Sequence, residues 1–332
     1  MVSNNDLDWW VWSQSNDKTF LLTDHFGSFD AHNRNQILDQ LPAGSTCYSE
    51  YIFPDAVKAA YPDIELKFSA LMFLHGNSIF NVSNTAANLE HGSLEFKNFI
   101  CSFNRSNQKT RHWLIAALNN LGWLNPRYVS KHFELDLQQI SLAGLDSDSI
   151  DPDFIKKTFI FDYTDPTDHV HNMTALSPLI QDSFVNLVTE SMIDSNVPFP
   201  TEKFLYPIAN KRLWLAFAPP NYHKMINQVF KLELYPCFDY YFDSIFDPVQ
   251  RMKAMLGMLE PYSRMSRKEW KNLYIKFQPI IEYNYNQLAN FDFFRTIVNL
   301  DQRPMNYDDL VTFQTSSNLK YFLECKEQSG RA

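Results

Sequence analysis

Glycine is scarce in this chain, at 8 of 332 residues. The two common phosphate-binding loops, G-x-G-x-x-G and G-x-x-x-x-G-K-S/T, need clustered glycines so that the backbone can approach a phosphate closely. Neither pattern occurs in the sequence. If the protein binds a nucleotide, side-chain cations and the N-termini of helices have to hold its phosphates.

Clustered cysteines, an excess of basic residues and long apolar runs are absent too. The 4 cysteines lack C-x-x-C spacing, which predicts reduced thiols rather than a disulfide framework or a zinc site. A net charge of −9 argues against a protein that holds nucleic acid mainly by neutralising phosphates. No apolar run is long enough to span a bilayer, and residues 1–6 lack the basic and apolar regions of a signal peptide. We therefore expect a cytoplasmic protein without a membrane span.

The remaining composition is that of a globular protein large enough for two cores. Hydrophobic residues make up 45% of the chain and charged residues 20%. Segments with a hydrophobic period of two alternate with segments of period about 3.6, which is typical of a doubly wound α/β protein with parallel strands. We predict a small N-terminal α/β domain at residues 1–95, a Rossmann-like domain at residues 96–262 and a C-terminal helical extension at residues 263–332.

The alternation assigns segments of the chain to strands and helices. The predicted strands are residues 18–23, 46–53, 66–74, 97–103, 128–133, 184–189, 213–218 and 230–235. The predicted helices are residues 33–40, 55–60, 108–121, 202–211, 222–229 and 247–259. Residues 1–16 are interpreted as a polar arm and residues 142–174 as a solvated insertion. Ser266 and Glu269 have the spacing of a capping box, so a long helix should begin there and bend at Pro279.

Polar and charged side chains collect where strands of the larger domain end and the next helices begin. Ligands of parallel α/β sheets bind beyond the carboxyl ends of the strands. Arginine can hold a phosphate with two hydrogen bonds, lysine supplies a point charge, and a helix N-terminus adds positive potential. These polar and charged side chains together suit an anionic, hydroxyl-rich ligand such as a nucleotide sugar. The alternative is a set of ordinary polar loops, with a threonine N-cap followed by two solvated charges. The candidate substrate-binding residues are Asn104, Arg105, Arg111, Glu190, Ser191, Thr201, Glu202 and Lys203.

Two segments carry a family resemblance. The run Phe184-Val185-Asn186-Leu187-Val188-Thr189-Glu190-Ser191, followed by Phe199-Pro200-Thr201-Glu202-Lys203, resembles the α1,3-fucosyltransferase signature F-x-x-x-x-E-N-S/T, a short loop, then Y-x-T-E-K. The segment Lys109-Thr110-Arg111-His112 is similar to the arginine segment of that family. The longer pattern, over about residues 97–285, also resembles exostosin-like proteins of large viruses and phages. Ser191 stands where the family usually has Asn, and the loop before Glu202 is longer than usual.

The resemblance implies a GT-B glycosyltransferase, with two Rossmann-like domains that face each other across a cleft and with no required metal or other cofactor. Arg111 and Lys203 would bind the diphosphate of a GDP- or UDP-sugar, and Glu202 would bind hydroxyls of the ribose or the sugar. Glu190 would shape the sugar pocket. The D-x-D pattern Asp146-Ser147-Asp148 lies in the predicted solvated insertion, and no carboxylate or cysteine spacing completes a metal site with His169 and His171.

Sugar transfer with inversion needs a base for the proton of the acceptor hydroxyl. We expect this base at the carboxyl end of an N-terminal strand, where Asp24 is the first choice. His25, Glu50 and His75 are alternatives, and each of the four also fits an ordinary turn residue. The acceptor would be a glycan, a lipid-linked saccharide or a hydroxymethylated base of viral DNA, so a nucleic acid would enter only as the acceptor. The alternative function is a non-catalytic protein that binds a nucleotide sugar or a glycan on a glycosyltransferase fold.

Overall fold

Two β-sheets organise the chain. The structure is a computed structural model that describes residues 9–13, 19–24, 38–39, 41–49, 52–53, 55–68, 79–80, 94–148, 150–159, 169–191, 193–194 and 198–291. The strands are β1 (Trp9–Ser13), β2 (Thr19–Asp24), β3 (Ser45–Ser49), β4 (Ile64–Phe68), β5 (Asn98–Cys101), β6 (Ser183–Thr189) and β7 (Leu213–Phe217). The helices are α1 (Asp55–Ala60), α2 (Lys109–Asn120), α3 (Leu137–Leu142), α4 (Pro152–Lys156), α5 (His169–Asp182), α6 (Leu205–Ala209), α7 (Tyr222–Phe230), α8 (Pro248–Ser263) and α9 (Arg267–Ala289), with 3₁₀ turns at Glu202–Phe204 and Tyr240–Ser244. The predicted α/β class with parallel-stranded sheets and a C-terminal helical segment is confirmed.

The first sheet has the strand order β1-β2-β3-β4. Strands β2, β3 and β4 run parallel, whereas β1 runs antiparallel to β2 and places Trp9 opposite Asp24. The sequence interpretation of residues 9–13 as part of a polar arm is therefore wrong. Tryptophan and valine favour a pleated strand, but only the folded chain shows that β2 offers them a partner.

The rest of the N-terminal half follows the predicted elements in part. Helix α1 has the predicted bounds, and β3 ends earlier than predicted because the Ile52 N–H bonds the Pro198 carbonyl at 3.0 Å instead of a strand. Residues 33–37 of a predicted helix and residues 69–74 of a predicted strand lie outside the described residues. A small core here consists of Leu38, Cys47, Phe53, Val57, Ile64 and Phe199.

The second sheet is parallel throughout, with the order β5-β6-β7. A parallel bridge joins Ser102 to Val129, and because β6 occupies one edge of β5, residue 129 lies along the other edge. The chain therefore leaves β5 to one side and returns to the sheet on the opposite side as β6. This reversal of direction between β5 and β6 is a topological switch point.

Two predicted strands are wrong. In residues 128–133 only single bridges form, since Lys131 turns its ammonium to the carbonyls of Phe133 at 2.9 Å and Ile155 at 3.0 Å. Residues 231–235 form no strand, because both backbone groups of Glu233 bond the side-chain amide of Asn284 in α9. In each case a side chain supplies the hydrogen bonds that a neighbouring strand would have supplied.

The predicted insertion at residues 142–174 is wrong at its end. Helix α5 begins at His169, and its Met173 is 1% exposed in the main core. The segment lacks clear start signals, and its helical face is recognisable only through the sheet that it covers. Helix α4 also lies within this range.

The capping box at the start of α9 is confirmed, with Ser266 and Glu269 bonding each other's backbone N–H groups. The helix continues through Pro279 to Ala289. Its Trp270 stacks on Phe184 of β6 with ring centroids 5.5 Å apart, so α9 belongs to the core of the second sheet.

Among the described residues, no helix is both long and apolar enough to cross a bilayer.

Arg251 of α8 holds the ends of two strands in place. Its guanidinium donates to the carbonyls of Ala218, just after β7, at 2.8 Å and of Ile193, after β6, at 2.7 Å. Two further bonds reach the carbonyls of Ile245 and Phe246. Burial lowers the pKa of Arg251 to about 10, so the side chain stays charged at neutral pH. The turns at the carboxyl edge of the sheet therefore depend on this one side chain.

Replacing Arg251 with Met should lower the free energy of unfolding by about 3 kcal/mol or more, because hydrogen bonds to charged groups contribute about 1.5–3 kcal/mol each. Urea denaturation followed by circular dichroism measures this. The control is Lys253→Met on the same helix, whose exposed ammonium bonds Gly144 at 3.3 Å and whose loss should change the value by less than about 0.5 kcal/mol. Equal effects of the two variants would contradict the assigned role.

Candidate functional site

A cavity of about 230 Å³ lies at the carboxyl ends of β5 and β6. The cavity is lined by Phe103, which comes just after β5, and by Thr189, which is the last residue of β6. Helices α5 and α6 supply further walls through Leu176 and Tyr206. The cavity thus occupies the topological switch point, which is where open α/β sheets bind their ligands.

The charges around the cavity are mostly positive. Among the described residues that line it are the cations Arg105, Arg111 and Lys203 and the single carboxylate Glu202, a net charge of 3 − 1 = +2. The whole chain carries −9. A positive group of this kind in an acidic protein attracts an anion locally.

Lys203 is held at the cavity by hydroxyl groups. Its ammonium donates to Ser191 Oγ at 3.1 Å and to Thr201 Oγ1 at 3.0 Å. Within the described part of the chain, no carboxylate forms an ion pair with it. An ammonium has three N–H donors, so one donor and the full charge remain available to a ligand.

Glu190 orients Thr201, which in turn accepts a hydrogen bond from Lys203. It is fully buried and does not line the cavity. Its carboxylate accepts the Thr201 hydroxyl at 2.6 Å, the Thr201 N–H at 3.2 Å and the Tyr222 hydroxyl at 2.5 Å. Because the one hydroxyl proton of Thr201 goes to Glu190, its lone pairs are left to accept Lys203. The structure therefore places Glu190 as a positioning residue for Thr201 and Lys203.

Tyr222 is a further member of this network, although its sequence context predicts only the start of a helix. Its side chain is fully buried. Burial and the neighbouring Glu190 raise the pKa of Tyr222 well above its ordinary value, so the phenol stays protonated and donates. No sequence pattern predicts this contact, since Tyr222 follows Glu190 by 32 residues, with a 3₁₀ turn, α6 and β7 in between.

The helix predicted at residues 202–211 is shorter and less regular than expected. Thr201 caps the 3₁₀ turn Glu202–Phe204, and the five-residue α6 follows. Lys211 then adopts a left-handed conformation with φ 51°, which ends the helical segment. A helix this short adds little macrodipole, so the positive potential at Lys203 comes from the side chains.

Arg111 lies in the first turn of α2 and is 1% exposed. Its guanidinium donates to the backbone carbonyl of Ser106 at 3.3 Å and to the Ser106 hydroxyl. Arg105 is exposed at the rim of the same cavity. Lys109, the neighbouring cation of this segment, points elsewhere and pairs with Asp194 at 3.0 Å.

His112 fixes the loop that carries Arg105 and Ser106. Its Nδ1 accepts the Asp136 backbone N–H at 3.0 Å, so its Nε2 carries the proton and donates to Asn107 Oδ1 at 2.6 Å. Burial lowers the pKa of His112, and this keeps the ring neutral in the folded protein. A residue of α2 itself therefore holds the loop that precedes the helix.

The remaining predicted residues lie at different distances from the cavity. Ser191 accepts a hydrogen bond from Lys203. Asn104 is fully buried and does not line the cavity. Its backbone N–H donates to Ser130 Oγ at 2.8 Å, and its Nδ2 donates to Ser102 Oγ at 3.1 Å. Asp24 ends β2, and its side chain lies outside the described part of the structure. The alternatives His25, Glu50 and His75 also lie outside the described residues.

No group of three metal-ligating side chains occurs among the residues that the structure describes. In the D-x-D segment, Asp146 Oδ1 accepts the backbone N–H of Asp148 at 3.0 Å, which makes a local turn.

Four polar lining residues were not among the candidates from the sequence. They are Ser106, Asn172, Asn186 and Thr189. Asn186 had a usable signal, because it interrupts the apolar run from Phe184 to Val188 in a buried strand.

In comparisons with known proteins, the chain matches no protein-family model, no curated protein and no solved structure.

If the cations of the cavity bind an anion, replacing Tyr222 with Phe should weaken that binding, with inorganic pyrophosphate as the probe, by about twofold to tenfold, the range covered by a hydrogen bond of about 0.5–1.5 kcal/mol. Glu190 would lose one donor and hold Thr201 and Lys203 less firmly. Isothermal titration calorimetry measures the affinity. Tyr274→Phe is the matched control, since its buried hydroxyl bonds Lys211 at 2.7 Å away from the cavity. An unchanged affinity in Tyr222→Phe would remove this residue from the network.

The stability of the protein should fall as the pH drops below about 6.5, the ordinary histidine pKa. The lowered pKa of His112 means that the unfolded chain takes up this proton first, so acid favours unfolding by up to about 1.4 kcal/mol per pH unit until the folded ring also protonates. Urea denaturation at pH 7.5 and 5.5 measures the loss. His112→Gln should lose less stability between these two values than the wild type, and an identical loss would show that His112 does not titrate in this way.

Proposed function

We propose that this protein is a glycosyltransferase that binds a nucleotide-diphosphate sugar, GDP- or UDP-linked, at the cavity and moves the sugar to a hydroxyl acceptor. The observation that carries the proposal is the convergence of Arg105, Arg111 and Lys203 on one cavity at the switch point between β5 and β6. These residues come from two separate segments of the sequence, residues 105–111 and residue 203. The resemblance to α1,3-fucosyltransferases had associated Arg111 and Lys203 with the same diphosphate.

The chemistry of the three cations fits a diphosphate. Lys203 keeps an N–H donor and an unneutralised charge, and Arg111 brings a guanidinium to the same cavity. Cations placed where the leaving group gains negative charge stabilise the transition state for its departure. Arg105, exposed at the rim, would meet the ligand as it enters.

The size of the cavity limits what it can enclose. Its volume of about 230 Å³ is below the range of about 300–1,000 Å³ typical of pockets that take whole small molecules. A nucleotide sugar would therefore place its diphosphate and one neighbouring ring in the cavity and extend the other ring outward. In the proposed GT-B arrangement that outer part would meet the N-terminal half of the chain.

The proposed base is Asp24, at the carboxyl end of β2. In this proposal its carboxylate takes the proton of the acceptor hydroxyl while Arg111 and Lys203 hold the departing diphosphate. Glu202 would bind ribose or sugar hydroxyls.

One observation favours a second candidate, a protein that binds the nucleotide sugar without turnover. Glu202 is the one carboxylate among the described residues lining the cavity, and Glu190 is fully engaged by Thr201 and Tyr222. A binding protein needs the cations of the cavity but no base.

Lys203→Met tests the proposal. It keeps the apolar stem of the side chain and removes the charge, so the affinity for GDP or UDP should fall at least about tenfold, or about 1.4 kcal/mol. Calorimetry at fixed ionic strength measures it. Lys109→Met is the matched control, because it removes the same charge from a side chain that pairs with Asp194 outside the cavity, and its effect should stay below about twofold.

Equal losses in the two variants would show that the anion does not bind at Lys203. A panel of nucleotide sugars, followed by an assay for release of the free nucleotide diphosphate with and without saccharide acceptors, then separates the two candidates. Release that requires an acceptor supports the transferase, and tight binding without any release supports the binding protein.

A further inference from the structure

Three polar side chains in the cavity wall carry buried atoms without a hydrogen-bond partner. We call Asn172, Asn186 and Thr189 the polar wall. Among the residues that the structure describes, none bonds Asn172 Oδ1, Asn186 Oδ1 or Thr189 Oγ1. The three residues are 6%, 4% and 1% exposed. They lie on α5, in the middle of β6 and at the end of β6, so the polar wall is not the product of one loop.

Unpartnered buried polar atoms are rare in folded proteins, and three of them on residues that line one cavity call for a physical reason. Thr189 shows this best, because valine has almost the same shape and would fill the same place in an apolar strand without burying a hydroxyl. The strand is buried along its whole length. A bound ligand that bonds these atoms would provide the reason.

The orientation of Asn186 is fixed by its surroundings. Its Nδ2 donates to the carbonyls of Ile180 at 3.3 Å and Leu213 at 3.4 Å. Because two acceptors face this nitrogen, the atom left over is the amide oxygen, which can only accept. Asn186 therefore requires an O–H or N–H donor and would repel a phosphate oxygen.

The cavity thus combines two kinds of chemistry. Lys203 and Arg111 suit an anion, whereas Asn186 Oδ1 can only accept and Thr189 Oγ1 can accept too, so the polar wall suits an uncharged group that carries hydrogen-bond donors. Tyr206 and Phe103 add aromatic surface, against which a ring can pack.

We propose that the polar wall is a subsite for an uncharged ring with O–H or N–H donors, attached directly to the phosphate that Lys203 and Arg111 hold. The proposal rests on the proposed function for the phosphate, and it adds which part of the ligand enters the cavity and how it is selected. A sugar and a nucleobase with its ribose share this chemistry, and the ligands tested distinguish them.

Thr189→Val is the central variant, because it removes one hydroxyl and keeps the shape of the side chain. The ligands are inorganic pyrophosphate, mannose 1-phosphate, GDP and UDP, each titrated by calorimetry into the wild type and the variant. The affinity for pyrophosphate should change by less than twofold, while the affinity for a ring-bearing ligand should fall at least fivefold. A loss confined to mannose 1-phosphate assigns the subsite to a sugar, and a loss confined to GDP or UDP assigns it to the nucleoside.

Two further variants separate binding from structure. Thr189→Ser keeps the hydroxyl and should restore the preference for ring-bearing ligands over pyrophosphate. Ser183→Ala, on the same strand but outside the cavity, removes a hydroxyl that bonds Leu179 at 2.9 Å, and should lower stability without changing that preference. Thr189→Val should instead leave the urea midpoint unchanged or raise it, since its hydroxyl has no partner among the described residues.

The proposal is overturned if Thr189→Val changes the affinities for pyrophosphate and for all ring-bearing ligands by the same factor. It is also overturned if the wild type binds none of the ring-bearing ligands more tightly than pyrophosphate. The proposed function fails separately, if Lys203→Met leaves nucleotide binding unchanged. Sensitivity to Lys203→Met without sensitivity to Thr189→Val would keep the anion site and remove the ring subsite.

Discussion

The buried carboxylate of Glu190 is the constraint on which the candidate site depends. It accepts hydrogen bonds from the hydroxyls of Thr201 and Tyr222, so that the oxygen of Thr201 is left to accept a hydrogen bond from Lys203. A carboxylate in direct contact would fix the ammonium but also neutralise it. Placing one hydroxyl between the two charges fixes the ammonium and leaves its charge for an anion. The same network anchors the end of β6 to α7, which joins the site to the sheet.

The site is also tied to the N-terminal half of the chain. The Pro198 carbonyl accepts the N–H of Ile52, and Phe199 packs in the small core with residues of the first sheet. Two residues later Thr201 enters the Glu190 network. A displacement of the first sheet would therefore also move the segment that positions Lys203.

Several helices and strands were predictable because local chemistry determines them. The capping box at Ser266 satisfies its own helix end, and β6 and β7 are apolar runs of the length of a buried strand, so the sequence alone assigns them. The strand predicted at residues 230–235 failed because the backbone of Glu233 bonds Asn284, about fifty residues further along. Helix α5 was missed for a related reason, since its buried face has meaning only against the second sheet.

The sequence alone predicts the α/β class and the residues that follow the strands, and with 8 glycines it predicts that side-chain cations would hold the phosphates of any bound nucleotide. These depend on composition and on neighbours along the chain. The folded chain was needed to show that Glu190 orients the site without lining the cavity, that Lys109 lies outside it, and that Thr189 and Asn186 carry unpartnered polar atoms in the cavity wall. Which side chain faces which depends on the order of strands in the sheet, and contacts between distant segments set that order.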